Sequence, residues 1–258
     1  MRYFLKISYK GSEYHGWQVQ QNARSVQGLI NETLSKILGE DISVAGSGRT
    51  DTGVHALEQY AHFDTPQLLD LQQHLYRFNA LLPDDIVVHE ILPVQKNAHA
   101  RFDAQLRSYQ YHIHQEKNAF LKGYSYYFRP ELDILLMNQA ATKLACGQEQ
   151  DYACFNKSGG GQENTLCRID QAHWLQKENS RLVFHISANR FLRNMVRAIV
   201  GTMLDIGSRR ISLEQFDEIL HSGKRSKAGR SVPAEGLYLS EVCYPEEIFT
   251  VVSSFRTT

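Results

Sequence analysis

The segment Gly48-Arg49-Thr50-Asp51-Thr52-Gly53-Val54-His55-Ala56 sets one carboxylate in a short polar turn with a glycine on either side. Apolar stretches bracket it, Ile42 to Val44 before and Tyr60 to Phe63 after, and both read as strands. Glycine admits positive φ and lets another molecule come close to the backbone. The pattern predicts Asp51 at the floor of a cleft, with Arg49 two residues away favouring the ionised form. An ionised, oriented carboxylate is a competent nucleophile toward a sugar carbon. The purely structural role open to the same side chain is an Asx hydrogen bond that caps the turn. Asp51-Thr52-Gly53 is also the triplet of aspartic proteases, which pair two such aspartates around one proton. This chain has no second D-T-G, and Arg49 stands where the protease pattern is apolar and would oppose proton sharing.

Outward from this turn the chain alternates strands and helices. Tyr3, Leu5, Ile7 and Tyr9 alternate with Phe4, Lys6, Ser8 and Lys10 as in a strand. Ser25 caps a helix whose apolar stripe is Val26, Leu29, Ile30, Leu34, Ile37 and Leu38, and Gly39 ends it. Thr65-Pro66 opens a helical region through Leu82, and Ile86 to Leu92 is a strand. After His99-Ala100-Arg101-Phe102 the order begins again. Ser108 to His114 is a strand, Pro130 opens a helix ending at Gly147, and Cys154-Phe155 leads into a polar loop over Ser158 to Asn164. Leu166 to Leu175 and Leu182 to Ala188 read as paired strands, and Asn189 to Ile206 as a helix. Ser212 with Gln215 forms a capping box, and Gly236 to Val242 is a final strand. The pattern predicts an α+β fold of two related halves, residues 1–104 and 105–258, with mostly antiparallel sheets, helices packed on one face and the active-site cleft between the halves.

Composition narrows the class of function. The 258 residues are 42% hydrophobic and 22% charged, with six prolines and seventeen glycines, which excludes a disordered or fibrous chain. Lysine plus arginine equals aspartate plus glutamate at 28 each, which excludes a generally polycationic binder. The charge is uneven, however. Between Arg181 and Arg230 ten basic residues stand against four acidic ones, pointing to a polyanionic partner at one surface. Cys146, Cys154, Cys167 and Cys243 form no C-x-x-C pair, and Lys6 interrupts any apolar signal region, so reduced thiols in a cytoplasmic protein are expected. The longest apolar stretch, Phe191 to Ile206, is broken by Arg193, Arg197 and Asp205, so no membrane span is expected. Eleven scattered histidines without paired ligands predict no metal, and neither common glycine-rich nucleotide loop is present, so no cofactor is expected.

Two further segments belong with the Asp51 turn. In Arg107-Ser108-Tyr109-Gln110-Tyr111 a tyrosine can stack on a base or move a proton through its hydroxyl; for Tyr111 a place in the core is the simpler reading. Arg190, Arg193 and Arg197 recur at spacings of three and four, which on a helix puts them along one side, suited to phosphates or to plain solvation.

Together these residues resemble the tRNA pseudouridine synthase A family, over nearly the whole chain. Gly48 through Ala56 matches the signature G-R-T-D-x-G-V-H. Tyr9 to Ser12, Tyr14 to Gln18 and Arg24 to Gln27 resemble the family's opening motifs. His99 to Phe102 and Arg107 to Tyr111 resemble its central motifs, and Asn189 to Arg197 and Ala234 to Leu239 its C-terminal ones. Thr52 stands where many members have alanine, Ala228 to Pro233 departs from the usual stretch, and Asn156 to Asn164 matches loosely. The resemblance implies an isomerase that converts uridine to pseudouridine at positions 38 to 40 in the anticodon stem-loop, as a homodimer, without cofactor or metal. It implies Asp51 as catalytic aspartate, Tyr109 against the target base, Arg197 paired with Asp51, and Arg49 supporting the loop or expelling the base. A non-catalytic RNA-binding module on the same scaffold is the rival reading.

Overall fold

The computed structural model describes residues 1–157 and 164–249. The chain divides into two compact units, Met1–Gln105 with the chain from Glu241 on, and Leu106–Ser240.

The first unit runs β1 (Arg2–Tyr9), α1 (Val26–Leu38), β2 (Ala45–Gly46), β3 (His55–Asp64), α2 (Leu71–Leu81) and β4 (Ile86–Val94). β1 lies between β3 and β4, antiparallel to both, with Leu5 opposite Ala61 and Ile91. Phe4, Leu5 and Ile7 are wholly buried, as expected for a central strand covered on both sides. α1 has the caps its sequence predicts: Gly28 N–H donates to Ser25 Oγ at 3.2 Å, and Gly39 closes the helix at φ 70°. Residues 42–44 form no strand. Side chains of α1 take over the ladder instead: Asn31 Oδ1 accepts from Val44 N–H at 2.9 Å, Gln27 Nε2 donates to Val44 O at 2.7 Å, and Ser35 Oγ accepts from Ile42 N–H at 2.9 Å. α2 begins later than Pro66 because Asp70 supplies the cap, accepting from Gln73 N–H at 3.0 Å.

The second unit runs β5 (Leu106–His114), β6 (Tyr126–Tyr127), α3 (Ile134–Leu144), β7 (Glu149–Asp151), β8 (Leu166–Lys177), β9 (Arg181–Ala188), α4 (Met195–Gly207), α5 (Leu213–Ser222) and β10 (Leu237–Cys243), within which the division between the units falls. β9 is antiparallel to both β5 and β8, β7 adds antiparallel to β8, and β6 pairs parallel with β5. Trp174 of β8 ties the helices to one face of these strands. Its main chain exchanges hydrogen bonds with the Asn138 carboxamide of α3, and its indole N–H meets Met203 Sδ of α4 at 3.1 Å. Asp133 caps α3, so that helix starts after Pro130 rather than at it. α5 carries the capping box of Ser212 and Gln215. The architecture is α+β with mostly antiparallel pairing, as the sequence predicts. The loop expected over Ser158 to Asn164 lies, up to residue 163, outside the described residues.

One helix is shorter than its periodicity predicts. α4 starts at Met195, not Asn189, because Asn194 sits in the left-handed region at φ 64° and cannot continue a right-handed helix backward. The Asn189 side chain accepts from Arg168 N–H at 2.9 Å, and its carbonyl accepts from Arg107 Nη1 at 3.0 Å, which holds the start of the preceding segment out of the helix. Arg190 and Arg193 therefore precede the helix and do not share a helical side with Arg197.

In the first unit His62, near the C-terminal end of β3, is buried, and its Nδ1 accepts from Ala100 N–H at 3.2 Å. An accepting nitrogen carries no proton. Burial, reinforced by the neighbouring His99 and Arg2, pushes this imidazole down to about 4. The unfolded chain binds the proton near its ordinary value, about 6.5, while the folded chain resists until about 4. This contribution is complete above the upper value and is lost as pH falls toward the lower one. Denaturant midpoints should thus drop between pH 7.5 and 4.5, and His62→Asn, which keeps an acceptor but cannot gain a proton, should drop less. An identical pH dependence in the variant contradicts the assignment.

Candidate active site

The turn carrying Asp51 is fixed from several sides within the first unit. Ser47 N–H donates to Tyr60 O at 2.7 Å; Ser47 Oγ bonds the carboxamide oxygen of the buried Gln59, whose Nε2 donates to Gly48 O at 3.0 Å. The Thr50 hydroxyl is buried against the Tyr9 hydroxyl at 2.8 Å. Val54 N–H donates to the main-chain carbonyl of Asp51 at 3.1 Å, with Gly53 at φ 79°, so the closure of the turn at Val54 does not draw on the carboxylate. Asp51 itself is half-buried, between buried Thr50 and exposed Thr52.

The segment 11–17 lies directly against this turn. Trp17 N–H donates to Thr50 O at 3.2 Å, and Gly53 N–H to Tyr14 O at 3.3 Å. Gly16 has φ 85°, and a Cβ there would lie 2.4 Å from the Thr50 carbonyl oxygen and 3.1 Å from the Asp51 carbonyl carbon. At Gly11 a Cβ would stand 1.9 Å from Val54 O. Two backbones thus meet where only glycine fits. Tyr14, buried beneath, donates its hydroxyl to Asp85; burial first and that carboxylate second push its pKa up. Trp17 is buried beside Tyr9, with ring centroids 6.1 Å apart.

Arg49 is exposed, and its Nε donates to Gln18 Oε1 at 3.2 Å, across to the same segment. The sequence marks Tyr14 to Gln18 as a motif without assigning it a task. The signal available was Gly16 itself, a glycine between two aromatic-containing stretches that no turn of its own requires.

In the second unit Tyr109 lies half-buried on β5, opposite Ile186 of β9, with its ring edge-on to Phe191 at 5.1 Å and 90°. Tyr111, two residues on, is wholly buried. Its hydroxyl donates to Pro233 O at 2.7 Å, and burial pushes its pKa up, which makes it a core residue. Arg197 stands half-buried in the first turn of α4; its Nε donates to Val232 O at 2.7 Å, and Val232 N–H returns to Arg197 O at 3.2 Å. The segment 228–232 that receives it crosses α4 at Gly201, where a Cβ would lie 1.7 Å from Arg230 O. Arg225 clips that segment through Ala228 O, Gly229 O and Ser231 Oγ. Of the basic residues in the Arg181–Arg230 stretch, Arg209 and Arg210 pair with Asp133 and Asp205, whereas Arg193, Lys224, Lys227 and Arg230 are exposed.

Among the described residues no helix is long and apolar enough to cross a membrane, and no three His, Cys, Asp or Glu side chains gather as a metal-binding group. The four cysteines are free thiols, and burial pushes Cys154 up to about 12 and Cys167 to about 11, which makes both inert at neutral pH.

Comparison with known proteins brings these features together. The family model described as tRNA pseudouridine synthase matches residues 6–103 and 141–245, spanning both the Asp51 turn and α4. A tRNA pseudouridine synthase A of Bacteroides fragilis is 43% identical over 249 residues, covering 96% of this chain and 98% of the relative. That of Porphyromonas gingivalis is 42% identical over 251 residues, covering 96% and 99%, and that of Ruminiclostridium cellulolyticum 39% over 242, covering 93% and 98%. Among solved structures, a chain of a Cbf5-Nop10-Gar1 complex matches with a TM-score of 0.32 and 12% identity over 78% of this chain and 54% of that one, a likeness too remote to transfer anything. With a family model over most of its length and relatives this close end to end, the chain belongs to the tRNA pseudouridine synthase family.

Proposed function

We propose that this enzyme isomerises uridine to pseudouridine at positions 38 to 40 in the anticodon stem-loop of tRNA, with Asp51 as nucleophile. The reaction breaks the N1–C1′ bond, turns the uracil and joins C5 to C1′; the C5 proton is lost and N1 gains one, so atoms balance with no co-reactant. Asp51 either attacks C1′ or removes the 2′ proton, and both routes need its carboxylate ionised. In this reading Arg197 serves as the cationic partner of that carboxylate. Tyr109 walls the detached base while it rotates and accepts the C5 proton through its hydroxyl. Arg49 supports the turn and helps expel the base.

The observation that carries this reading is the backbone lock around Asp51: Gly16 beneath, the Thr50 hydroxyl buried, and the closure at Val54 made by main chain. A turn so restrained fixes the point from which the carboxylate projects, which favours attack on a single carbon. Stem uridines are paired and stacked, and extruding one costs roughly a few kcal/mol. The exposed Arg193, Lys224, Lys227 and Arg230 supply phosphate contacts that offset it. The enzyme acts in the cytoplasm as a homodimer, as the resemblance to the family implies.

Two substitutions test the assignment. Asp51→Asn should lower tritium release from C5-labelled uridine tRNA by about 10³-fold or more while tRNA affinity stays within about twofold; retained turnover removes Asp51 from the chemistry. Tyr109→Phe should slow turnover by about 10²-fold if its hydroxyl takes the proton; near-normal turnover leaves Tyr109 as a stacking wall only.

A further inference from the structure

The turn Ala98 to Asp103 in the first unit carries a feature that the reaction at Asp51 does not use. Phe102 exposes 73% of its surface. A single exposed apolar side chain is ordinary on a protein surface, but this one is mounted on a turn without slack. Six consecutive main-chain N–H groups all find acceptors. Ala98 donates to Gln95 O at 3.0 Å, His99 to Asp103 Oδ2 at 2.7 Å, and Ala100 to His62 Nδ1 at 3.2 Å. Arg101 and Phe102 both donate to His99 Nδ1, at 3.1 and 3.4 Å, and Asp103 donates to His99 O at 3.1 Å. The carbonyls of Ala98 and Ala100 are taken by Arg2 Nη1 and the Tyr244 hydroxyl. Ala98 and Ala100 are buried, so the turn is rooted in the core while its tip faces water.

The ring also keeps particular company. The His99 imidazole lies 4.2 Å from it, centroid to centroid, tilted by 36°, and the Arg101 guanidinium carbon is 5.8 Å from its centroid. An aromatic face beside a cation, pre-positioned and open to solvent, is the chemistry that receives a nucleobase with its phosphate close by. A rigid mount reduces the ordering cost of such a contact.

The platform is not at the Asp51 turn. His62, which holds Ala100, stands seven residues along β3 from His55, and His55 follows the Asp51 turn. The Asp51 turn thus precedes the N-terminal end of β3, and the platform is held from near its C-terminal end. Because the two lie at opposite ends of β3, the base received at Phe102 is taken as a different nucleotide of the same RNA.

We propose that Phe102, backed by His99 and flanked by Arg101, is a stacking platform for an unpaired base of the tRNA substrate other than the reacting uridine. Phe102 is a positioning residue that sets tRNA affinity; the inference rests on tRNA being the substrate. In an Asp51→Asn background, where binding is read without turnover, Phe102→Ala should raise the Kd for a tRNA transcript about 5- to 100-fold. Phe102→Trp should keep the affinity, and Phe102→Leu, apolar but without a π-face, should behave like alanine. In the otherwise native enzyme KM should rise more than kcat falls, and the oligomeric state by light scattering should not change. Leucine binding as well as phenylalanine, an unchanged Kd in the alanine variant, or a loss that tracks dissociation of the oligomer overturns the platform. Should the unsubstituted enzyme form no pseudouridine, the functional reading fails, while the Kd series still decides the platform.

Discussion

The site depends on one steric fact: the backbone at Gly16 lies so close to the Thr50 carbonyl that a methyl group between them would stand 2.4 Å from its oxygen. Close backbone approach fixes the turn more firmly than side-chain contacts do, because neither partner has a rotamer to change. The Thr50–Tyr9 hydroxyl pair, the Trp17 N–H on Thr50 and the Gly53 N–H on Tyr14 then leave the turn little freedom. What projects from that fixed frame is Asp51, half-buried, next to an exposed threonine. With its backbone fixed, only the side-chain torsions of Asp51 are left to order on reaching a reactive pose.

The second unit builds its residues by the same means with different parts. Gly201 lets the segment 228–232 cross α4 at backbone distance, and the crossing segment in turn binds the guanidinium of Arg197 through Val232. The stretch Ala228 to Pro233 departs from the family's usual sequence, yet its carbonyls at 228, 229, 232 and 233 are all used, by Arg225, Arg197 and Tyr111.

Much of the fold was legible because it is locally determined. Ser25 and Gly39 bound α1, Ser212 and Gln215 begin α5, and alternation in β1 marks a strand, each within a few residues of sequence. The turn around Asp51 was legible for the same reason. What eluded the sequence is decided by distant partners. Residues 42–44 have strand composition, but α1 offers them Asn31, Gln27 and Ser35 in place of a neighbouring strand. The periodicity of 189–206 is helical throughout, but positive φ at Asn194 and the bonds of Asn189 to Arg168 and Arg107 delay α4 to Met195. For Tyr111 the structure bears out the core reading and adds what anchors it there, the Pro233 carbonyl more than a hundred residues away. The task of Gly16 was hidden likewise, since Thr50 lies over thirty residues beyond it.

The central claim is that a backbone lock under Thr50 aims the Asp51 carboxylate. It is tested most directly by the single-turnover rate of pseudouridine formation in Gly16→Ala, measured alongside the Kd for the same tRNA and the far-ultraviolet dichroism. The account predicts a rate lower by at least about tenfold, with affinity and secondary structure nearly unchanged, because the added methyl moves the turn but leaves the rest of the RNA-binding surface in place. A Gly16→Ala enzyme that converts uridine at the native rate would contradict it.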